Sequence, residues 1–262
     1  MFLIDSHCHL NKLNYHNVHA DISDVLSKAY QKGVKLVLSV STDLSDYENM
    51  IQFVGYRKDV LFSCGIHPMN ICDFTIKRVD LNKLNNFVFN DNVIAIGETG
   101  LDYYHNISNK NVQKEIFCQH IDIAKNIDKP LVVHSRNAMK DVLILLNETG
   151  AKQCKGVLHC FCDDIDSARI LLNMNFYISF SGMVTFKNID NFKKVIQYVP
   201  ENRMLLETDS PYLTPVPYRG LENQPAYVYD IARYISDIKK ISLDEIASIT
   251  TSNFCELFRV EL

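Results

Sequence analysis

Phe2-Leu3-Ile4-Asp5-Ser6-His7-Cys8-His9 opens the chain with a short apolar run that ends in two histidines one residue apart. The run reads as a buried β-strand. In an open, doubly wound α/β sheet, the turn after the first strand usually carries a glycine-rich phosphate loop. Here that place holds Asp5-Ser6-His7-Cys8-His9 instead, which favours a closed barrel. Alternate strand residues point to one side, so His7 and His9 could share one ion. Taken alone, the pair is also readable as two hydrogen-bonded histidines at a strand end.

The pattern recurs along the chain. Val93-Ile94-Ala95-Ile96 leads to Glu98, Leu131-Val132-Val133 to His134, Val157-Leu158 to His159, and Met204-Leu205-Leu206 to Asp209. Short apolar runs predict strands over 2–6, 35–41, 61–66, 93–97, 130–134, 156–160, 176–181 and 204–208. Helical periodicity predicts helices over 18–32, 43–56, 80–90, 112–127, 137–148, 164–174 and 188–198, with two more over 225–238 and 242–258. Ser242 and Glu245 have the spacing of a capping box. Alternating strands and helices predict an α/β fold, a (β/α)8 TIM barrel forming a single domain over residues 1–262, because closure leaves no sheet edge. The length of 262 residues suits such a barrel, which runs to roughly 250.

Composition narrows the function. With 47% hydrophobic residues, a large core is within reach. A net charge of −4 argues against gripping long nucleic acid by counterion release, but leaves room for a pocket that takes a strand end. Cys8, Cys64, Cys72, Cys118, Cys154, Cys160, Cys162 and Cys255 form no CxxC pair. Free thiols, no signal-peptide pattern and no apolar stretch long enough for a membrane span predict a soluble, cytoplasmic protein with no membrane partner. Cys160 and Cys162 are readable as soft metal ligands or, more plainly, as a small strand-end residue and a loop residue.

The strand-end residues carry more meaning together than singly. A parallel barrel gathers the C-terminal ends of its strands on one face. His7, His9, Glu98, His134, His159 and Asp209 would then supply enough ligands for two divalent cations. His7, His9, Glu98 and Asp209 would hold one, and Glu98, His134 and His159 the other. Nitrogen and oxygen ligands together suit zinc, manganese or magnesium, with magnesium the least favoured. Asp209, farther out than Glu207 on the same face, is expected as ligand or base, with Glu207 supporting from below.

These residues lie in stretches that resemble the TatD-family metal-dependent deoxyribonucleases of the amidohydrolase superfamily. The stretches are Ile4-Asp5-Ser6-His7-Cys8-His9-Leu10, Gly65-Ile66-His67-Pro68, Ile96-Gly97-Glu98-Thr99-Gly100-Leu101-Asp102-Tyr103, Val133-His134-Ser135-Arg136, His159-Cys160-Phe161 and Leu206-Glu207-Thr208-Asp209-Ser210-Pro211-Tyr212-Leu213. The resemblance runs the full length and also takes in Pro217-Tyr218-Arg219-Gly220 and Asn223-Gln224-Pro225. It implies a TIM barrel, a divalent-metal centre with the same six ligands, and hydrolysis of DNA phosphodiesters, often as an exonuclease. Met69, in place of a histidine usual in the family, and the pair Leu221-Glu222, in place of a basic pair, take positive charge from the mouth, and Gln224 stands for the family's usual glutamate.

The leading expectation is therefore a nuclease acting on single-stranded or frayed DNA ends with a metal-activated water, Asp209 and Glu98 serving catalysis. His67 is expected to contact the scissile phosphate, to pass a proton to the leaving group, or to hold a ligand in place. Arg136 and Arg219 are placed to fork onto phosphate oxygens, and Tyr103, Tyr104 and Tyr218 are read as stacking or packing residues. His16, His19, His105 and His120 receive no role. The alternatives are a metal-dependent hydrolase of another ester or amide, such as a D-aminoacyl-tRNA deacylase, and a barrel that has lost catalysis.

Overall fold

In the computed structural model, eight parallel strands follow one another around a single sheet in chain order. They are β1 (Leu3–Cys8), β2 (Val34–Val40), β3 (Val60–Cys64), β4 (Val93–Asp102), β5 (Leu131–Arg136), β6 (Gly156–Leu158), β7 (Tyr177–Phe180) and β8 (Met204–Leu206). The structure describes residues 2–71, 81–105, 108–186 and 190–262. Cys72, the first residue of the helix predicted over 80–90 and the first two of the helix predicted over 188–198 lie outside them.

The ring closes at the mouth. The Asp209 amide donates to the His7 carbonyl at 2.9 Å, the His9 amide to the Ser210 carbonyl at 2.8 Å, and Cys8 pairs with Ser210 in parallel. Closure satisfies the backbone groups that an open edge would leave to solvent.

Helices α1 (Ile22–Gln31), α2 (Leu44–Val54), α3 (Leu81–Val88), α4 (Lys110–Ile127), α5 (Met139–Glu148), α6 (Ile165–Asn173), α7 (Asp190–Tyr198), α8 (Val228–Lys239) and α9 (Leu243–Phe258) alternate with or follow the strands. α1 starts later than its apolar pattern predicts because Asp21, extended at φ −164°, accepts from the Asp24 amide and caps it there. The Ser242–Glu245 capping box on α9 forms as its spacing predicts.

Alternation divides the core into two layers. Leu36, Leu38 and Val40 of β2 pack inside the barrel with Ile4, Val132, Val157 and Leu205. Val34 and Val37 join the layer between strands and helices. α9 closes the N-terminal end of the barrel, with Phe254, Leu257 and Phe258 in the interior cluster. Its Asn253 side chain donates to the Glu201 and Met204 carbonyls. With that end plugged, the ligand-bearing end is the open one.

Two register shifts sit where the site is built. Asp5 pairs with Val37 and Cys8 with Ser39, so β1 carries one extra residue around His7. Ile96 pairs with Leu131 and Thr99 with Val133, so β4 carries one extra residue around Glu98. Such bulges turn a side chain out of strict alternation. β4 also runs on to Asp102, beyond the end predicted at residue 97, so Glu98 lies within the strand.

The described cysteines are all free thiols. No helix among the described residues is long and apolar enough to cross a membrane.

Candidate metal centre

All six predicted ligands converge at the barrel mouth. The His7 and His9 Nε2 atoms lie 3.4 Å apart. Glu98 Oε2 is 3.4 Å from the first and 3.8 Å from the second. Asp209 Oδ1 stands 3.5 Å from His7 Nε2 and 3.4 Å from His9 Nε2. The other Glu98 oxygen, Oε1, faces a second set: His159 Nε2 at 2.8 Å and His134 Nδ1 at 3.0 Å, themselves 3.3 Å apart. Glu98 therefore joins two groups of donors through its two oxygens. It is 3% exposed, so its charge has little water to lean on and needs a cationic partner.

For His9, His134 and His159, the second ring nitrogen shows which nitrogen is free to bind. His9 Nδ1 lies 2.8 Å from the Val40 carbonyl, which can only accept, so Nδ1 carries the hydrogen and Nε2 presents a lone pair. His134 Nε2 lies 3.2 Å from Asp102 Oδ2, which leaves Nδ1 bare toward Glu98. His159 Nδ1 faces Glu207 Oε1 at 3.3 Å, too far off line for a well-formed hydrogen bond but oriented by charge. Its Nε2 is bare toward the site. Bare nitrogens and carboxylate oxygens thus crowd one another at 2.8–3.8 Å. Lone pairs facing lone pairs at that range repel unless a proton or a cation lies between them, and the donor set fits a divalent cation.

The electrostatics agree. Burial strips protons from imidazoles, yet Glu98 and Glu207 overcome it at His159 and hold its pKa well above the usual value. At His9 burial is likewise outweighed, by Asp209 and Glu98, and at His134 by Asp102 and Glu98. Burial alone would raise the Glu98 and Asp209 pKa values, but the surrounding histidines hold both below the carboxylate range. The site attracts positive charge, and a metal ion would occupy the place these protons take.

Asp102 belongs to the site, although its role was not read from the sequence. Its carboxylate accepts from His134 Nε2 at 3.2 Å, His105 Nδ1 at 2.9 Å, and the Tyr104 and His105 amides at 2.9 and 2.8 Å. Burial pushes its pKa up, but hydrogen bonds from His134 and His105 bring it well below the ordinary range. A carboxylate behind a ligand histidine fixes the ring and raises its basicity. Asp102 stands four residues after Glu98 on a strand, so a same-face rule could have found it. His105, given no role from sequence, is thereby corrected to a support of Asp102.

His67 lies three residues beyond β3, at the cap of a short 3-10 turn, with Nε2 3.2 Å from Glu98 Oε1. Arg136, exposed on β5, stacks its guanidinium over Tyr104 at 4.4 Å. Arg219 lies over Phe186 at 3.8 Å and donates to the Thr214 carbonyl at 2.8 Å. Neither arginine has an acidic partner among the described residues, whereas Lys12 and Lys114 are paired with Asp46 and Asp141. Tyr218 stacks on Tyr227 at 4.2 Å, a packing contact. Tyr103 is tied to Asp141 through its hydroxyl, while Tyr104 is 62% exposed. Cys160 contacts Ser181 and Met183 rather than a ligand group. Glu222 serves the fold: it accepts from the Asn14 amide at 2.9 Å and faces buried His19 at 3.5 Å.

A sequence model of TatD related DNases matches residues 4–259. The chain belongs to the TatD family. An uncharacterized metal-dependent hydrolase of Buchnera aphidicola subsp. Baizongia pistaciae is 50% identical over 260 residues, covering 99% of this chain and 97% of the relative. The Escherichia coli K12 protein YcfH, also described as an uncharacterized metal-dependent hydrolase, is 48% identical over 261 residues, with 100% and 97% coverage. The crystal structure of YjjV, a TatD homologue of E. coli K12, superposes with a TM-score of 0.89 at 23% identity, covering 99% and 98%, and shows the shared fold. This TatD chain is thus a metal-dependent hydrolase with a TIM barrel, as its strand-end residues predict.

Proposed function

We propose that the chain, acting as one unit over residues 1–262, hydrolyses DNA phosphodiester bonds with two divalent cations, preferring single-stranded or frayed ends, in the cytoplasm. The observation that carries this reading is the split of Glu98, with one oxygen on the His7–His9–Asp209 side and the other on the His134–His159 side. His7, His9, Glu98 and Asp209 would hold one ion, and Glu98, His134 and His159 the other. Zinc, manganese and magnesium are the candidates, and such a pair supplies Lewis acidity and a nucleophile at neutral pH.

The chain's own groups do the rest. Asp209, ionised and at the outer edge of the group, orients the attacking water and takes its proton. Arg136, flattened on Tyr104 with its donors unspent on acidic residues, binds a phosphate oxygen, and Arg219, stacked on Phe186, binds another. His67 donates toward the phosphoryl group. The exposed face of Tyr104 suits an unpaired base better than a duplex.

The test uses chelator-treated protein, resupplied with zinc, manganese or magnesium, against end-labelled single-stranded and frayed duplex DNA and, separately, D-aminoacyl-tRNA. Metal-dependent cleavage of DNA is expected. Glu98→Ala and Asp209→Ala should each lower it by more than about 100-fold, the upper range for losing an outer-sphere partner. Full activity in either variant, or turnover of the tRNA ester alone, would overturn the proposal.

A further inference from the structure

His120 sits in the middle of α4, fully buried, and touches none of the six ligand residues. Its Nδ1 lies 2.7 Å from the Ile116 carbonyl one turn back, so Nδ1 carries the hydrogen. Its Nε2 is then an acceptor, and it takes the Ile66 amide at 3.1 Å. Ile66 precedes His67, where the backbone has just left β3.

His67 is held on every side. Its amide donates to the Thr42 carbonyl at 2.8 Å. Its Nδ1 accepts from the Met69 amide at 3.1 Å. An acceptor Nδ1 places the ring hydrogen on Nε2, the atom 3.2 Å from Glu98 Oε1. Two consequences follow. Nε2 has no lone pair to give, so the grouping of His67 with Glu98 and His134 at ligand distances is not a third metal site. With Nδ1 occupied by the Met69 N–H, the ring presents its hydrogen on Nε2 and faces the site as a hydrogen-bond donor.

We propose that His120 is a positioning residue: by holding the Ile66 amide it keeps His67 with its hydrogen on Nε2, a fixed hydrogen-bond donor beside Glu98 Oε1 where a phosphoryl oxygen would enter. This rests on the phosphodiesterase reading for its substrate, but not for its geometry. A pre-aimed donor at the place where charge develops needs no reorganisation during reaction. The neutral ring donor is a known way for an imidazole to act on an oxygen without giving up its proton.

Long-range proton–nitrogen spectra of 15N-labelled wild-type protein should show His67 protonated on Nε2 and His120 on Nδ1. His120→Leu removes the acceptor for Ile66, whereas His120→Gln keeps one within similar reach. The leucine variant should lose about tenfold to 100-fold in kcat. Its KM and metal affinity should stay within about twofold, and glutamine should restore kcat to within about threefold. Its His67 ring signals should move, and those of His120→Gln should not. A wild-type His67 protonated on Nδ1 would overturn the proposal, as would a folded leucine variant with unchanged kcat and His67 signals. Should His120→Leu fail to fold, the wild-type spectra decide. A wild type inactive on every phosphodiester would refute the proposed function, and the spectra would still decide how His67 is held.

Discussion

Asp102 shows how much of the site's chemistry rests on residues that never touch an ion. Four donors converge on its carboxylate, two of them from His105, and the fourth is the ring of His134, a candidate metal ligand. Replacing it with asparagine turns one acceptor into an N–H that opposes those donors. Asp102→Asn is therefore expected to weaken metal binding by about 10- to 100-fold. Titrating chelator-treated protein with zinc or manganese in a calorimeter would measure it. An affinity unchanged from wild type would mean that His134 is oriented by its packing alone. Glu207 stands behind His159, fully buried with Oε1 3.3 Å from Nδ1, but among the described residues neither of its oxygens has a hydrogen-bond partner of the kind that converges on Asp102.

At the scale of an element, β4 does most of the positioning. It carries Glu98 and Asp102, and its extra residue re-aims the first without disturbing pairing of the second with Arg136. Gly100 lies between them at φ +136°, and a Cβ there would stand 2.1 Å from the His134 carbonyl oxygen. Only glycine allows β4 and β5 to approach this closely. Gly100→Ala is expected to cost at least about 2 kcal/mol from backbone conformation and clash together. The midpoint of urea unfolding would report it, and a midpoint matching wild type would refute the close approach. Apolar runs such as Leu131-Val132-Val133 located the strands correctly because buried parallel strands read as continuous hydrophobic stretches. They could not reveal the bulges in β1 and β4, since an extra residue against a neighbour is a property of two strands. Helix starts moved for a related reason: α5 begins at Met139, after Asn137 takes φ +53°, although the apolar pattern predicts helix from residue 137.

For the whole molecule, the buried histidine of α4 ties stability to pH. Burial lowers the His120 pKa from 6.5 to about 4. Above pH 6.5 the ring is neutral in both folded and unfolded chains. Between those values the unfolded chain takes up a proton that the folded one refuses, so stability falls as the pH drops. The contribution lost over that window is roughly 3 kcal/mol. Urea midpoints of wild type and His120→Gln between pH 7 and 4.5 should converge as the pH falls, because only wild type loses this term. Parallel curves would show that the ring titrates normally.

Read from the chain alone, the six candidate ligand residues, their order and their attachment to strand ends were already legible, because donor chemistry resides in residue type and strand character in local apolar runs. The pairing of Asp102 with His134 and the hold of His120 on Ile66 were decided only by tertiary structure. Each depends on which atom meets the far nitrogen of an imidazole, and no local pattern encodes a contact between segments 32 or 54 residues apart.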